Sequence, residues 1–263
     1  MGDGGSRSRS LDSYSSVAST RESDAIETTG SPPVDFFLAS AYHASGLASM
    51  ASDPSSSTTL QELSAALHNC QRCKLAKLGR TQVVFGVGNP NAQIMFVGEG
   101  PGFYEDKQGE PFVGAAGKLL NELLQSAGLS RSQVYIANVI KCRPPNNRDP
   151  EPDEVDTCKP FLLQQIELIN PKVVCTLGRW ATETLLGRKV GITKIRGHAV
   201  RTEKLTIFPL LHPAAALHQG SLMEPLREDF LKLKAFLDQA DRPEPAPPVP
   251  SEPQRTQMDL FGS

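Results

Sequence analysis

The chain has 263 residues, a net charge of −2 at pH 7 and 39% hydrophobic residues, which suits one folded domain with polar tails and excludes an uninterrupted membrane-spanning run of about 18 apolar residues. The N-terminus has no apolar leader core, so the expected location is the cytoplasm, the cytosol or nucleoid of a bacterium. The negative total speaks against a nucleic-acid partner only until it is divided, because residues 61–240 hold 22 Lys+Arg against 18 Asp+Glu while the flanks hold 5 against 11.

Residues 1–60 contain 16 Ser and little apolar periodicity, which predicts a disordered extension, with Val34 to Tyr42 as a possible short helix. A Cys-x-x-Cys follows at Cys70 and Cys73. From there strand and helix patterns alternate. Strands are predicted at 93–97, 133–139, 172–177 and 205–211. Helices are predicted at about 115–127, 153–169, 179–187 and 223–239. This order predicts an α/β fold of three layers, a central and mainly parallel four-stranded sheet flanked by helices, within a domain spanning 61–240. Between the last two strands lies the densest basic stretch, 188–204. On charge alone it is equally a solvated face or a phosphate track. Residues 241–256 carry six Pro and read as a linker, and 257–263 form a separate tail.

In a sheet of this kind ligands bind beyond the carboxyl ends of the strands. The segment after the first strand is Gly98-Glu-Gly-Pro-Gly102, then Glu105, then Pro111-Phe-Val-Gly114. Its closely spaced glycines let backbone approach a ligand. After the second strand comes Asn138, then Lys141-Cys-Arg-Pro-Pro-Asn-Asn-Arg148. After the fourth comes His212-Pro213 and a run of small residues, read as a loop to Gly220. An aromatic, an Asn and a His at three strand ends are what reading one flipped base requires: a stacking face, an amide with one donor and one acceptor, and a donor to a developing oxyanion.

Five cysteines are present. A disulfide framework is not expected in a cytosolic chain of this size. Cys70 and Cys73 form a close pair, and Cys142 and Cys158 stand apart. From spacing alone iron–sulfur and zinc remain level. Cys175 lies inside an apolar strand and reads as a small core residue.

Taken together, Gly98 to Gly102, Pro111 to Gly114, Asn138 to Arg148, His212-Pro-Ala and the four cysteines resemble family 4 of the uracil-DNA glycosylase superfamily, the thermophile-type enzymes with a [4Fe–4S] cluster. The resemblance covers about two-thirds of the chain, roughly 62–239. It implies a monomeric, monofunctional hydrolase that excises uracil from single- and double-stranded DNA and initiates base excision repair. It implies that Cys70, Cys73, Cys142 and Cys158 hold the cluster. Phe112 would stack on the flipped uracil and Asn138 would read its Watson–Crick edge. Backbone at Glu99 and Gly100 would meet the base and the attacking water. Glu105 would stand near the 5-position of the base, obstructing a thymine methyl. His212 would stabilise charge on the uracil O2, and Leu217 would wedge into the vacated stack. Gly100 stands where better-known uracil glycosylases carry a water-positioning Asp, which leaves Asn147 as the candidate for orienting water. His218 stands where this family often has Arg.

Two other readings compete. A relative that traps uracil-DNA covalently would place a His in the loop after the second strand, and Pro144 to Arg148 contains none. A non-catalytic accessory subunit of a replication polymerase would not need Asn138 and His212. The tail adds a separate expectation: Gln257, Met258, Leu260 and Phe261 resemble the peptide by which bacterial proteins dock on the replication sliding clamp.

Overall fold

The structure is a computed structural model and describes residues 57–240. The expectations for the Ser-rich extension, the 34–42 helix, the linker and the clamp-binding tail lie outside the described residues.

In chain order the elements are α1 (Leu60–Leu67), β1 (Val87–Gly88), β2 (Ile94–Gly98), α2 (Phe103–Gln108), α3 (Ala115–Ser126), β3 (Tyr135–Asn138), α4 (Pro152–Ile169), β4 (Val173–Leu177), α5 (Arg179–Leu186), α6 (Ile192–Ile195), β5 (Val200–Arg201), β6 (Thr206–Leu210), α7 (Pro213–His218) and α8 (Met223–Ala240). The six strands form one sheet in the order β1-β3-β2-β4-β6-β5. The four expected strands are its parallel centre, and the two-residue strands β1 and β5 pair antiparallel at the edges.

The central strands are buried on both faces, which is why they read as continuous apolar runs. In β2, Phe96 points to a core built with Leu120, Phe208 and Phe230, while Met95 and Val97 point to a second core with Leu162, Ile166 and Ala181. The Phe96 and Phe230 rings stack at 6.1 Å, 4° from parallel, which seats α8 on the first face. Cys175 is fully buried in β4, a core residue as expected. Among the described residues no helix is long and apolar enough to cross a membrane.

One expectation is corrected. The segment after His212 is a helix, α7, followed by a 3-10 turn at Gly220–Leu222, and not a loop. Pro213 sits in the first turn, where its missing N–H costs nothing, and three alanines with high helix propensity follow.

Candidate active site

A cavity of about 440 Å³ opens at the carboxyl ends of the central strands. It is lined by Glu99, Gly100, Glu105, Phe112, Asn138, Asn147 and His212, which the structure brings together from four segments of chain. Asp149 and His218 also contribute to the wall. Leu217 is not among the lining residues; it precedes His218 on α7 and is 46% exposed.

Asn138 ends β3 and is in register with Gly98 at the end of β2. The strand pairing continues past it, with Val139 N–H donating to the Gly98 carbonyl at 2.9 Å and Ile140 N–H to the Glu99 carbonyl at 3.1 Å. Asn138 is buried, and its Oδ1 has no hydrogen-bond partner. A buried unsatisfied acceptor costs about 1–3 kcal/mol, so this oxygen is poised for an external N–H donor. Gly98 makes the arrangement possible. A Cβ there would stand 2.5 Å from Asn138 Oδ1 and 2.7 Å from Phe112 Cζ. At Gly100 a Cβ would stand 2.7 Å from Ile140 Cγ1.

Phe112 has a φ of +55°, a strained conformation for an aromatic residue. Such strain costs about 1–3 kcal/mol and persists only where neighbours over-determine it. Glu105 Oε1 accepts from Val113 N–H and from Gly114 N–H, both at 3.0 Å. Arg131 donates to the Phe112 carbonyl at 3.1 Å and to the Pro111 carbonyl. Gly117 admits the Phe112 carbonyl, since a Cβ there would lie 1.8 Å from it. Glu105 thus braces the turn that presents the Phe112 ring. That ring faces His212 at a centroid distance of 5.6 Å.

His212 caps α7, its Nδ1 accepting the Ala214 N–H at 3.1 Å. Desolvation pushes its pKa down to about 4, against a smaller upward pull from Glu105. Glu99 goes the other way. Burial, and then the nearby Asp149 carboxylate, raise it to about 7, with Arg179 opposing. Asn147 has a φ of +54°, and its Oδ1 accepts from Arg143 Nε at 2.6 Å. Lys141 is buried behind the site, its Nζ donating to the Asn138 carbonyl at 2.8 Å and to Gln165 Oε1.

The basic stretch 188–204 is partly consumed by structure. Lys189 pairs with Glu183 at 3.1 Å, and Arg196 with the buried Asp229.

Cys73 opens a 3-10 turn at Lys74–Lys77, Cys142 follows β3, and Cys158 lies on α4. Lys141 N–H donates to Cys158 Sγ at 3.3 Å. Burial raises the Cys142 thiol to about 12. Arg80 opposes that rise, and Cys158, Cys73 and Cys70 add to it. Burial likewise raises the Cys158 thiol to about 11. The four sulfurs are thus within electrostatic reach of one another, and their thiolates would need a cationic centre. Among the described residues no group of three or more His, Cys, Asp or Glu is gathered into a site for a metal ion. Four Cys thiolates are nonetheless the donor set that a four-iron cluster takes. Lys74 ties the same segments together through Glu151 and, at 3.0 Å, Asp153.

The model of the uracil DNA glycosylase superfamily matches residues 85–236. The chain belongs to this superfamily. It is 48% identical over 186 residues to the type-4 uracil-DNA glycosylase of Sulfurisphaera tokodaii, covering 67% of this chain and 84% of that one. It is 47% identical over 182 residues to the type-4 enzyme of Thermotoga maritima, covering 68% of this chain and 94% of that one. The type-4 enzyme of Archaeoglobus fulgidus is 45% identical over 183 residues, covering 66% of this chain and 92% of its own.

Sequence reasoning missed Asp149, Arg131 and Lys141 as supports of the site. Asp149 directly follows the Asn138–Arg148 motif, and its place beside it was the available signal. Arg131 and Lys141 act through contacts that local patterns do not announce.

Proposed function

We propose that this protein is a uracil-DNA glycosylase, a hydrolase that cleaves the C1′–N1 bond of deoxyuridine in single- and double-stranded DNA, and that it acts alone to start base excision repair. The observation that carries the reading is the buried, unpartnered Oδ1 of Asn138 beside the strained ring of Phe112. Uracil offers an N3–H to that oxygen and an O4 to the amide N–H. Cytosine has a lone pair at N3 and an amino group at C4, so the same amide opposes it.

In this reading the flipped uracil stacks on Phe112. Glu105 acts chiefly by fixing the Phe112 turn, so that the filled pocket leaves no space for a 5-methyl group. His212, neutral and with Nδ1 occupied, donates its Nε2–H to O2 as charge develops on the departing base. The sugar becomes cationic. Glu99, raised to about 7, is ionised above that pH, where its carboxylate faces the cation and orients water. Asn147 Oδ1 accepts from Arg143, which fixes its amide on the cavity wall, where it would orient the water together with Glu99. Among the described residues no lysine lines the cavity, which supports simple hydrolysis without a Schiff base. Leu217, exposed on α7 next to His218, would fill the vacated stack.

Cys70, Cys73, Cys142 and Cys158 are the ligands for a [4Fe–4S] cluster. When bound, it supplies a covalent staple between the 70–80 segment and the 142–158 segment. The tail residues Gln257, Met258, Leu260 and Phe261 serve as a docking peptide for a bacterial sliding clamp, raising the local enzyme concentration on new DNA. Deleting 257–263 tests this: binding to immobilised clamp is expected to vanish while uracil release from short oligonucleotides continues.

The central experiment is release of free uracil from defined oligonucleotides. Release from uracil DNA but not from thymine or cytosine DNA is expected. A cross-linked product, or none at all, would overturn the reading.

A further inference from the structure

Phe103 and Tyr104, at the start of α2, are 47% and 59% exposed. Among the Phe, Tyr and Trp side chains of the described residues they are the two that are exposed. They pack edge to face at 5.4 Å. Two adjacent aromatics left in water at the start of a short helix call for a ligand.

Their position is set from several directions. Gly102 and Glu105, which flank them, line the cavity. Arg143 lies over the Phe103 ring at 5.1 Å, and its Nε also holds Asn147 on the cavity wall. A Cβ at Gly114 would lie 3.5 Å from the Tyr104 ring, so that ring borders the turn that presents Phe112. Lys107 stands 5.9 Å from the Phe103 centroid. The opposite side of α2 is anchored. Asp106 is buried and accepts Thr81 N–H at 2.8 Å, while Glu105 holds the backbone of Val113 and Gly114. The pair is therefore a fixed shelf at the mouth of the cavity, with two cations beside it.

We propose that Phe103 and Tyr104 form a second aromatic platform, on which the base next to the flipped uracil stacks while Arg143 and Lys107 draw in its phosphate. This inference rests on the uracil reading above. A π-faced, negatively charged ligand matches both the rings and the cations. A strand whose uracil occupies the cavity must cross this rim. A protein seated on the same shelf would cover the cavity mouth, which favours DNA as the occupant. A base can reach the shelf only when it is unpaired, so the platform favours single-stranded uracil DNA over duplex.

The test uses the full chain and oligonucleotides carrying 2′-fluorinated deoxyuridine, which resists cleavage, with 2-aminopurine on either side of it. Wild-type protein and Tyr104→Phe are expected to quench the 2-aminopurine on one side. Phe103→Ala/Tyr104→Ala is expected to lose the quenching and to bind the single strand about five-fold or more weakly, with a smaller change for duplex. Phe103→Leu/Tyr104→Leu, which keeps apolar bulk without ring faces, is expected to behave like the alanine pair, and it carries the comparison if the alanine pair does not fold. Quenching and single-strand affinity equal to wild type in the leucine pair would overturn the platform, as would an absence of quenching on both sides with wild type. If wild type still releases uracil in either case, only the platform falls. If it releases no uracil, the underlying reading falls too.

Discussion

The backbone N–H of Ala214 donates to Nδ1 of His212 at 3.1 Å. This contact decides where the imidazole keeps its proton. With Nδ1 accepting and the pKa held near 4, the ring is neutral at physiological pH and its Nε2 bears the hydrogen. His212→Ala is expected to lower single-turnover uracil excision by on the order of 10²–10³, as for loss of one oxyanion donor. Binding of uracil DNA, measured separately, should change far less. An unaltered excision rate would remove His212 from the chemistry.

In the proposed mechanism Glu99 would set the pH dependence. Its carboxyl is raised to about 7 by burial and by Asp149, so it is protonated below that value and gains its charge as pH rises through it. His212 is already neutral over this range. Activity should therefore climb from pH 6 to 8 along one limb with an apparent pKa near 7. Glu99→Gln should flatten that limb and lower the plateau. A wild-type profile with no limb between pH 6 and 8 would contradict the assignment.

Gly98 permits the close approach of Asn138 and Phe112. A methyl group there would collide with Asn138 Oδ1 and the Phe112 ring together. Gly98→Ala is expected to abolish discrimination and most of the rate, because neither side chain can retreat within a buried strand end. The measurement is the ratio of uracil to cytosine excision alongside the melting temperature. A variant with wild-type selectivity would show that the two groups do not need this close approach.

The cysteines divide into two classes. Purified protein should be brown and contain iron and acid-labile sulfide. Cys142→Ser should lose the colour, whereas Cys175→Ser, in the core of β4, should keep it. Zinc without iron in anaerobically purified protein would refute the cluster assignment.

Much of this molecule is legible from local pattern. The strands β2, β3, β4 and β6 announce themselves because burial on both faces demands unbroken apolar runs. Asn138 and His212 stand at strand ends and Phe112 in the turn before α3, and the cavity gathers all three. The helix α7 carries a local signal in Pro213 and its alanines, but a run of small residues suits a loop as well as a helix. The edge strands β1 and β5, two residues each, are too short to leave a periodic signature.

What only the tertiary structure decided is the state of those residues. The positive φ of Phe112 is held partly by near neighbours, Glu105 and Gly117, and partly by Arg131, 19 residues on, whose approach local sequence does not announce. Nothing beside Glu99 predicts a raised pKa, because the cause is burial and an Asp149 fifty positions away in the sequence. Residue types and local order follow from burial and backbone propensity, which neighbours in sequence can satisfy. Strain, an unpartnered acceptor and a shifted proton depend on groups that meet only once the sheet has closed.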